Sequence, residues 1–304
     1  MSIIRIQNLC FAYEGAPGRV FDGLSLELDD SWNLALTGRN GRGKTTLLKL
    51  LSSELDAGGS IHATTRFARF PFAVADDSLT TGAIVAAVCG AEGWRIEREA
   101  GLIGLHEGVL EQPLATLSGG ERAKALLLAL FLIDGCIPLI DEPTNHLDAA
   151  GRQALGRYLA RKRGFILASH DRDLLDGCCD HVLALEAGGP VLTRGSFSDY
   201  LREYERREAL ERAEDARLRG EIRRLGDAAR RAGEWAGQAE KAKHRTGDSD
   251  GRPERGYQGH KAAKLVKRAK GIERRREQAV EQKSMLLRHV EEAGEVRMRP
   301  QEYR

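Results

Sequence analysis

Long apolar runs are missing from this chain, and so is any paired cysteine motif. The longest unbroken apolar stretch, Ala125 to Ile133, is too short to cross a bilayer. The opening MSIIRIQNLCFAY alternates like a strand and lacks the charged and then apolar segments of a secretory leader. Five cysteines, Cys10, Cys89, Cys136, Cys178 and Cys179, show no CxxC spacing and sit mostly among apolar neighbours. Small buried thiols account for them better than a metal site or a disulfide framework, and a reducing compartment fits. These absences predict a soluble, cytoplasmic protein without a membrane partner.

A chain of 304 residues can hold one sizeable domain with an extension, or two smaller domains. Charge decides between them. Residues 1–200 carry 19 Lys/Arg against 25 Asp/Glu, a net −6, and residues 201–304 carry 28 against 20, a net +8. The first part holds most of the Val, Ile, Leu and Phe in short runs punctuated by glycine, the pattern of alternating buried strands and helices. The second is mostly Arg, Lys, Glu and Ala, the composition of long solvated helices. The expected border lies near Gly195, giving a domain at 1–195 and an extension at 196–304.

The segment LALTGRNGRGKTTLLKLL (34–51) is a short apolar strand, a G-x-x-x-x-G-K-T loop from Gly38 to Thr45, and a helix with four leucines. Its glycines let successive N–H groups turn toward phosphate oxygens, and the helix amino end adds its dipole. Gly38, Asn40, Gly41, Gly43, Lys44, Thr45 and Thr46 are therefore the expected nucleotide-binding residues, with Lys44 at the β- and γ-phosphates and the Thr45 hydroxyl on Mg²⁺. CIPLIDEP (136–143) reads as a second buried strand. Its last residue, Asp141, is expected to hold the Mg²⁺. Glu142, pointing the other way along the pleat, is left to activate the attacking water.

Between these elements Ser118-Gly119-Gly120 opens an apolar helix, a second anion-binding turn that one phosphate site does not need. The order Gly38–Thr45, Leu117–Glu121, Asp141-Glu142 and then ILASHD with His170 resembles an ATP-binding cassette. The resemblance implies an α/β P-loop fold, ATP with Mg²⁺, and a pair of cassettes in which the Ser118 turn of one caps the γ-phosphate held by the other. The second cassette would be supplied in cis or by homodimerisation. It further implies that Asp148 belongs to the loop crossing the dimer interface, that His170 touches the γ-phosphate, and that Tyr13 stacks on adenine. One departure stands out. Where many cassettes place a glutamine after the strand at about 65–70, this chain reads Phe70-Pro71-Phe72, so Phe72 takes no metal role.

Residues 195–235 contain no proline, and Leu218, Ile222, Leu225, Ala229 and Ala232 recur at a 4-3-4-3 spacing, one face of a packed helix. After a glycine- and charge-rich break at 245–259, helical spacing resumes over 260–292, which predicts an antiparallel helical hairpin. Lys261, Lys264, Lys267, Arg268 and Lys270 cluster beside its turn and are the candidate contacts to RNA phosphates.

With DEPTNHLD, GSFSDY and the charged hairpin, the chain resembles the ABC-F group of cassettes, which act on the ribosome. GYQGHKAAKLVKRAK and EQKSMLLRHVEE are similar to the branch that protects ribosomes from lincosamides, streptogramin A and pleuromutilins. That likeness implies large-subunit rRNA and tRNA as partners, a hairpin reaching the peptidyl transferase centre, and a second cassette that would begin where this chain ends. Two other readings share the nucleotide motifs: a transporter's ATP-binding subunit, and a nucleotide-gated RNA-binding module that does not turn over.

Overall fold

The computed structural model of the protein describes residues 2–16 and 18–245, together with Lys267, Gly271, Arg274, Arg275 and Gln278. Two compact units divide the chain, Met1–Glu203 and Tyr204–Arg304.

The first unit is built on two sheets. A three-stranded antiparallel sheet has the order β2-β1-β4, from β1 (Ile3–Phe11), β2 (Phe21–Asp29) and β4 (Gly58–His62). A six-stranded sheet has the order β5-β6-β7-β3-β8-β9. Its strands are β3 (Asn33–Gly38), β5 (Arg66–Phe70), β6 (Cys136–Asp141), β7 (Phe165–Ala168), β8 (His181–Glu186) and β9 (Gly189–Arg194). All neighbours in it are parallel except β8 and β9. The central strands read as unbroken apolar runs because both of their faces are covered. NLAL of β3, IPLI of β6 and FILA of β7 are buried throughout. On β1, by contrast, Ile4, Ile6 and Leu9 are buried and Ile3, Arg5 and Gln7 exposed.

Helices cover this frame: α1 (Lys44–Leu51), α2 (Thr81–Cys89), α3 (Gly93–Ile103), α4 (Gly119–Leu132), α5 (Ala149–Leu159) and α6 (Arg172–Cys178). Leu47, Leu48, Leu50 and Leu51 of α1 enter one core with Leu36, Leu139 and Leu183 of the large sheet and Ile6 and Leu28 of the small one. At the amino ends of the strands a single buried amide ties three segments together. Asn33 Nδ2 donates to the carbonyls of Lys162 (3.0 Å) and Cys178 (2.9 Å), and its Oδ1 accepts from Gly164 N (3.0 Å). The Asn33 amide donates to Asp180 Oδ1 at 3.1 Å.

A second polar cluster joins α3 to α5. Glu99 Oε2 accepts from the Tyr158 hydroxyl (2.9 Å) and from Lys162 Nζ (2.5 Å), whose ammonium lies 4.6 Å from the centre of the Tyr158 ring. Burial, reinforced by the Glu99 charge, pushes the Tyr158 hydroxyl well above its ordinary pKa.

The last described helix, α7 (Phe197–Arg245), begins in the first unit. Phe197 and Tyr200 are buried there, and the Tyr200 hydroxyl reaches Glu186 Oε1 at 3.1 Å. Compaction therefore carries the first unit through Glu203, beyond the change in charge near Gly195, because these two aromatics need cover. In the second unit Leu218 is buried and Ile222 half-buried, while Glu208–Arg212 and Asp215–Arg219 make i,i+4 ion pairs at 2.6 Å each. The returning arm of the expected hairpin, with Lys261, Lys264, Arg268 and Lys270, lies outside the described residues. Lys267 is described, as an exposed helical residue.

Candidate functional site

The parallel strands β3, β6 and β7 end together, since Leu36 of β3 and Asp141 of β6 both align with Ala168 of β7. The Gly38–Thr45 loop, the Asp141-Glu142 pair and His170 follow the ends of these three strands, the place the crevice rule for open α/β sheets gives to a ligand. Gly38 closes β3 at φ 146°, where a Cβ would lie 2.8 Å from the Leu185 carbonyl oxygen. Gly43, the N-cap of α1, has φ 92°, and a Cβ there would lie 2.6 Å from Val20 Cγ1 and 2.8 Å from Phe21 Cζ. The loop is thus a glycine cradle braced from below by the start of β2. Lys44 Nζ is held over it by the Gly38 carbonyl at 2.7 Å. Asn40, Gly41 and Thr45 are exposed on it, and Thr46 is buried behind them. Tyr13 reaches this region from beyond the end of β1: its hydroxyl lies 3.0 Å from Thr46 Oγ1, and its ring, partly exposed, packs edge-on to Phe11.

Asp141 ends β6, but Glu142 departs from the pleat that the sequence suggests. Its φ is 48°, a left-handed backbone unusual for a residue with a side chain, and its N–H is taken up by the Ala168 carbonyl at 2.8 Å. The turn directs Glu142 toward His170, whose Nε2 lies 3.5 Å from Glu142 Oε1. That oxygen is buried with no hydrogen-bond partner. Burial raises the pKa of the Glu142 carboxyl, and the facing His170 opposes the rise. A backbone strained in this way at a desolvated acid is the kind of outlier that gathers at reaction centres.

The donor set suits a magnesium nucleotide. Asp141 and Thr45 carry hard oxygen atoms of the kind Mg²⁺ prefers. Among the described residues no group of three or more His, Cys, Asp or Glu could hold a metal ion. The expected glutamine position is occupied by Phe72, half-buried after the cis Phe70–Pro71 peptide.

The remaining candidates form a separate group at the amino ends of α4 and α5. Ser118 and Glu121 make a reciprocal capping box, with Ser118 N donating to Glu121 Oε2 at 3.0 Å and Glu121 N to Ser118 Oγ at 3.3 Å. Gly119 and Gly120 are glycines for contact reasons: a Cβ on the first would stand 3.2 Å from His146 Cβ, and on the second 3.1 Å from the His146 carbonyl oxygen. Asp148 caps α5, accepting from Gly151 N at 2.7 Å. Its carboxylate therefore has a local structural task beside any role at an interface. Sequence reasoning missed Val20 and Phe21 as the floor of the cradle, because an apolar pair opening a strand reads as ordinary core.

Residues 21–145 match the family model described as ABC transporter. Over 219 residues the chain is 31% identical to ABC transporter F family member 4 of Dictyostelium discoideum, an alignment covering 67% of this chain and 19% of that protein. It is 41% identical over 109 residues to the energy-dependent translational throttle protein EttA of Mycobacterium tuberculosis, covering 36% of this chain and 20% of EttA. The chain thus spans about a fifth of the length of these curated relatives. Among solved structures, the dimeric bacterial ABC transporter cassette MJ0796 superposes with a TM-score of 0.54 at 16% identity, covering 63% of this chain and 98% of that one. With the phosphate cradle, the paired acids and the capped serine turn on one α/β frame, the chain has the fold of a P-loop ATP-binding cassette, and its curated relatives in sequence include F-type proteins.

Proposed function

We propose that this protein binds ATP with Mg²⁺ between paired cassettes, hydrolyses it, and uses the cycle to act on the ribosome as an ABC-F translation factor. The observation that carries the reading is a second glycine turn at a helix amino end, Ser118–Gly120, on a fold whose Gly38–Thr45 loop already forms one cradle. Gly38–Thr45 cradles a nucleotide from below, and Ser118–Gly120 offers donors to a nucleotide held by another copy or by a second cassette in the same protein. Likeness to an F-family protein and to the translational throttle protein EttA supports the ribosome as partner.

In this scheme the Gly38–Lys44 loop binds the β- and γ-phosphates and Tyr13 stacks on the adenine. Glu142 orients and deprotonates the attacking water, and His170 steadies that carboxylate and the γ-phosphate. Thr45 and Asp141 would hold Mg²⁺, which would neutralise charge on the phosphates. The desolvated state of Glu142 suits a general base, since a raised pKa brings it nearer the working pH. Lys261, Lys264, Lys267, Arg268 and Lys270 are assigned to rRNA or tRNA phosphates. The finer reading is protection of the peptidyl transferase centre from antibiotics by the hairpin tip.

The test is ATPase activity against protein concentration, with and without ribosomes. Rate per molecule rises with concentration when two copies complete each site, and ribosomes raise it further. A fast rate independent of both concentration and ribosomes overturns the paired-cassette and ribosomal readings together, and association with membranes in place of ribosomes favours the transporter alternative.

A further inference from the structure

The helix that follows His170 holds the start of α7. Asp171, directly after His170, caps α6 by accepting from Leu174 N at 3.1 Å, and its own amide donates to Ser169 Oγ at 3.1 Å. Leu174, Leu175 and Cys178 seat this two-turn helix in the core, so it moves as one piece or not at all. On its exposed side Asp176 turns both carboxylate oxygens to a single residue of α7. The Ser198 amide donates to Oδ1 at 2.7 Å and the Ser198 hydroxyl donates to Oδ2.

The second of these contacts is not needed to start the helix. Ser196 already caps α7 locally, with Asp199 N donating to Ser196 Oγ at 3.1 Å and the Ser196 hydroxyl to Asp199 Oδ2 at 2.8 Å. Asp176 adds a carboxylate from another helix to one of the orphan N–H groups of α7, where the dipole favours negative charge. Ser198 is 22 positions away in sequence, so this clasp reports the placement of α6 and not the local turn.

We propose that Asp176 is a positioning residue that couples the nucleotide-facing end of α6 to the first turn of α7. When His170 engages the γ-phosphate, α6 shifts with it, and the Asp176–Ser198 clasp passes the shift to a helix that continues to Arg245. The inference rests on the ATP-binding reading above and adds to it the residue pair through which the nucleotide state leaves the cassette.

The experiment is hydrogen–deuterium exchange over residues 196–203 of the whole chain, in a Glu142→Gln background so that ATP persists, with and without ATP–Mg²⁺. ATP is expected to change exchange at this segment by about 10-fold, the effect of roughly one hydrogen-bonded contact on local opening. Asp176→Ala and Ser198→Ala reduce that response to about 2-fold or less, Ser198→Thr, which keeps the hydroxyl, restores it, and titration with a fluorescent ATP analogue gives an unchanged affinity in all three. If ATP binds but the segment does not respond, or responds equally with Asp176→Ala, the coupling is overturned while the ATP-binding reading stands. If ATP does not bind, both fall. Asp176→Asn, equal in size and without the charge, guards against misfolding of the alanine variant: a full response with native-like unfolding also overturns the proposal.

Discussion

Replacing Glu142 with Gln should move activity and stability in opposite directions, a signature that a merely structural residue would not give. In the wild-type protein this carboxylate is 23% exposed, and Oε1 has no hydrogen-bond partner apart from a long approach to His170 at 3.5 Å. A buried acceptor left unpaired costs on the order of 1–3 kcal/mol, and partial exposure with His170 nearby brings the figure to about 1 kcal/mol. A neutral amide of the same size is cheaper to desolvate, so Glu142→Gln should gain about 1 kcal/mol, or about 3 °C in Tm for a unit of this size. The sign with pH follows from the raised pKa. The folded protein takes up the Glu142 proton more readily than the unfolded chain. Wild-type stability is therefore fully relieved of the penalty below the ordinary carboxylate pKa and pays it as pH rises through the higher folded value. The advantage of the variant should be full at pH 8 and vanish in acid, where both side chains are neutral. Hydrolysis should fall about 10²-fold with nucleotide affinity retained. Paired thermal unfolding scans at pH 8 and pH 4, with ATPase assays at high protein concentration, provide the check. A variant no more stable than wild type at pH 8, or one that turns over ATP at the wild-type rate, refutes the reasoning.

Gly43→Ala should lower ATP affinity by about 10-fold or more, because a left-handed backbone costs a residue with a Cβ about 1–2 kcal/mol and the new methyl would press on Val20 and Phe21; titration with a fluorescent ATP analogue decides, and unchanged affinity refutes the cradle's packing. Glu99→Leu should destabilise the protein by about 3 kcal/mol in urea, since it strands the half-buried Lys162 ammonium and the Tyr158 hydroxyl, and adding Lys162→Met should recover most of the loss; a cost under about 0.5 kcal/mol for the single variant shows that the cluster is idle. Tyr13→Phe keeps the ring and loses only the Thr46 contact, so ATP affinity should stay within about 3-fold, whereas Tyr13→Ala should weaken it by about 10-fold; equal affinities for wild type and the alanine variant remove Tyr13 from the site.

The phosphate loop was legible in the sequence because few residue patterns other than spaced glycines allow a strand to turn into a helix with its N–H groups pointing inward, and the structure has Gly38, Gly41 and Gly43 all at positive φ. Asp141 was legible as the end of an apolar run. The conformation of Glu142 was not, since period-two alternation carries a strand one residue too far when tertiary hydrogen bonding to Ala168 ends it. Asn33 was invisible for a related reason: the partners of its side chain are backbone atoms of Lys162, Gly164 and Cys178, which leave no mark on residue type. The helical spacing through Leu218 and Ile222 announced α7, but the charge change placed its domain border before Phe197 and Tyr200, whose burial binds the first turns to the cassette.

The position of β3 between β7 and β8 bears on how the protein is made. Both neighbours follow it by more than a hundred residues, and the Asn33 amide waits for Asp180, 147 positions later. At about 5–20 residues per second, a ribosome needs roughly 7–30 s to deliver that partner, and until β7 is made, late in this interval, an apolar strand stands with neither edge paired. A stall between the two points would release a fragment primed for aggregation, whereas a stall after Glu186 would release a sheet in which β3 is flanked on both sides.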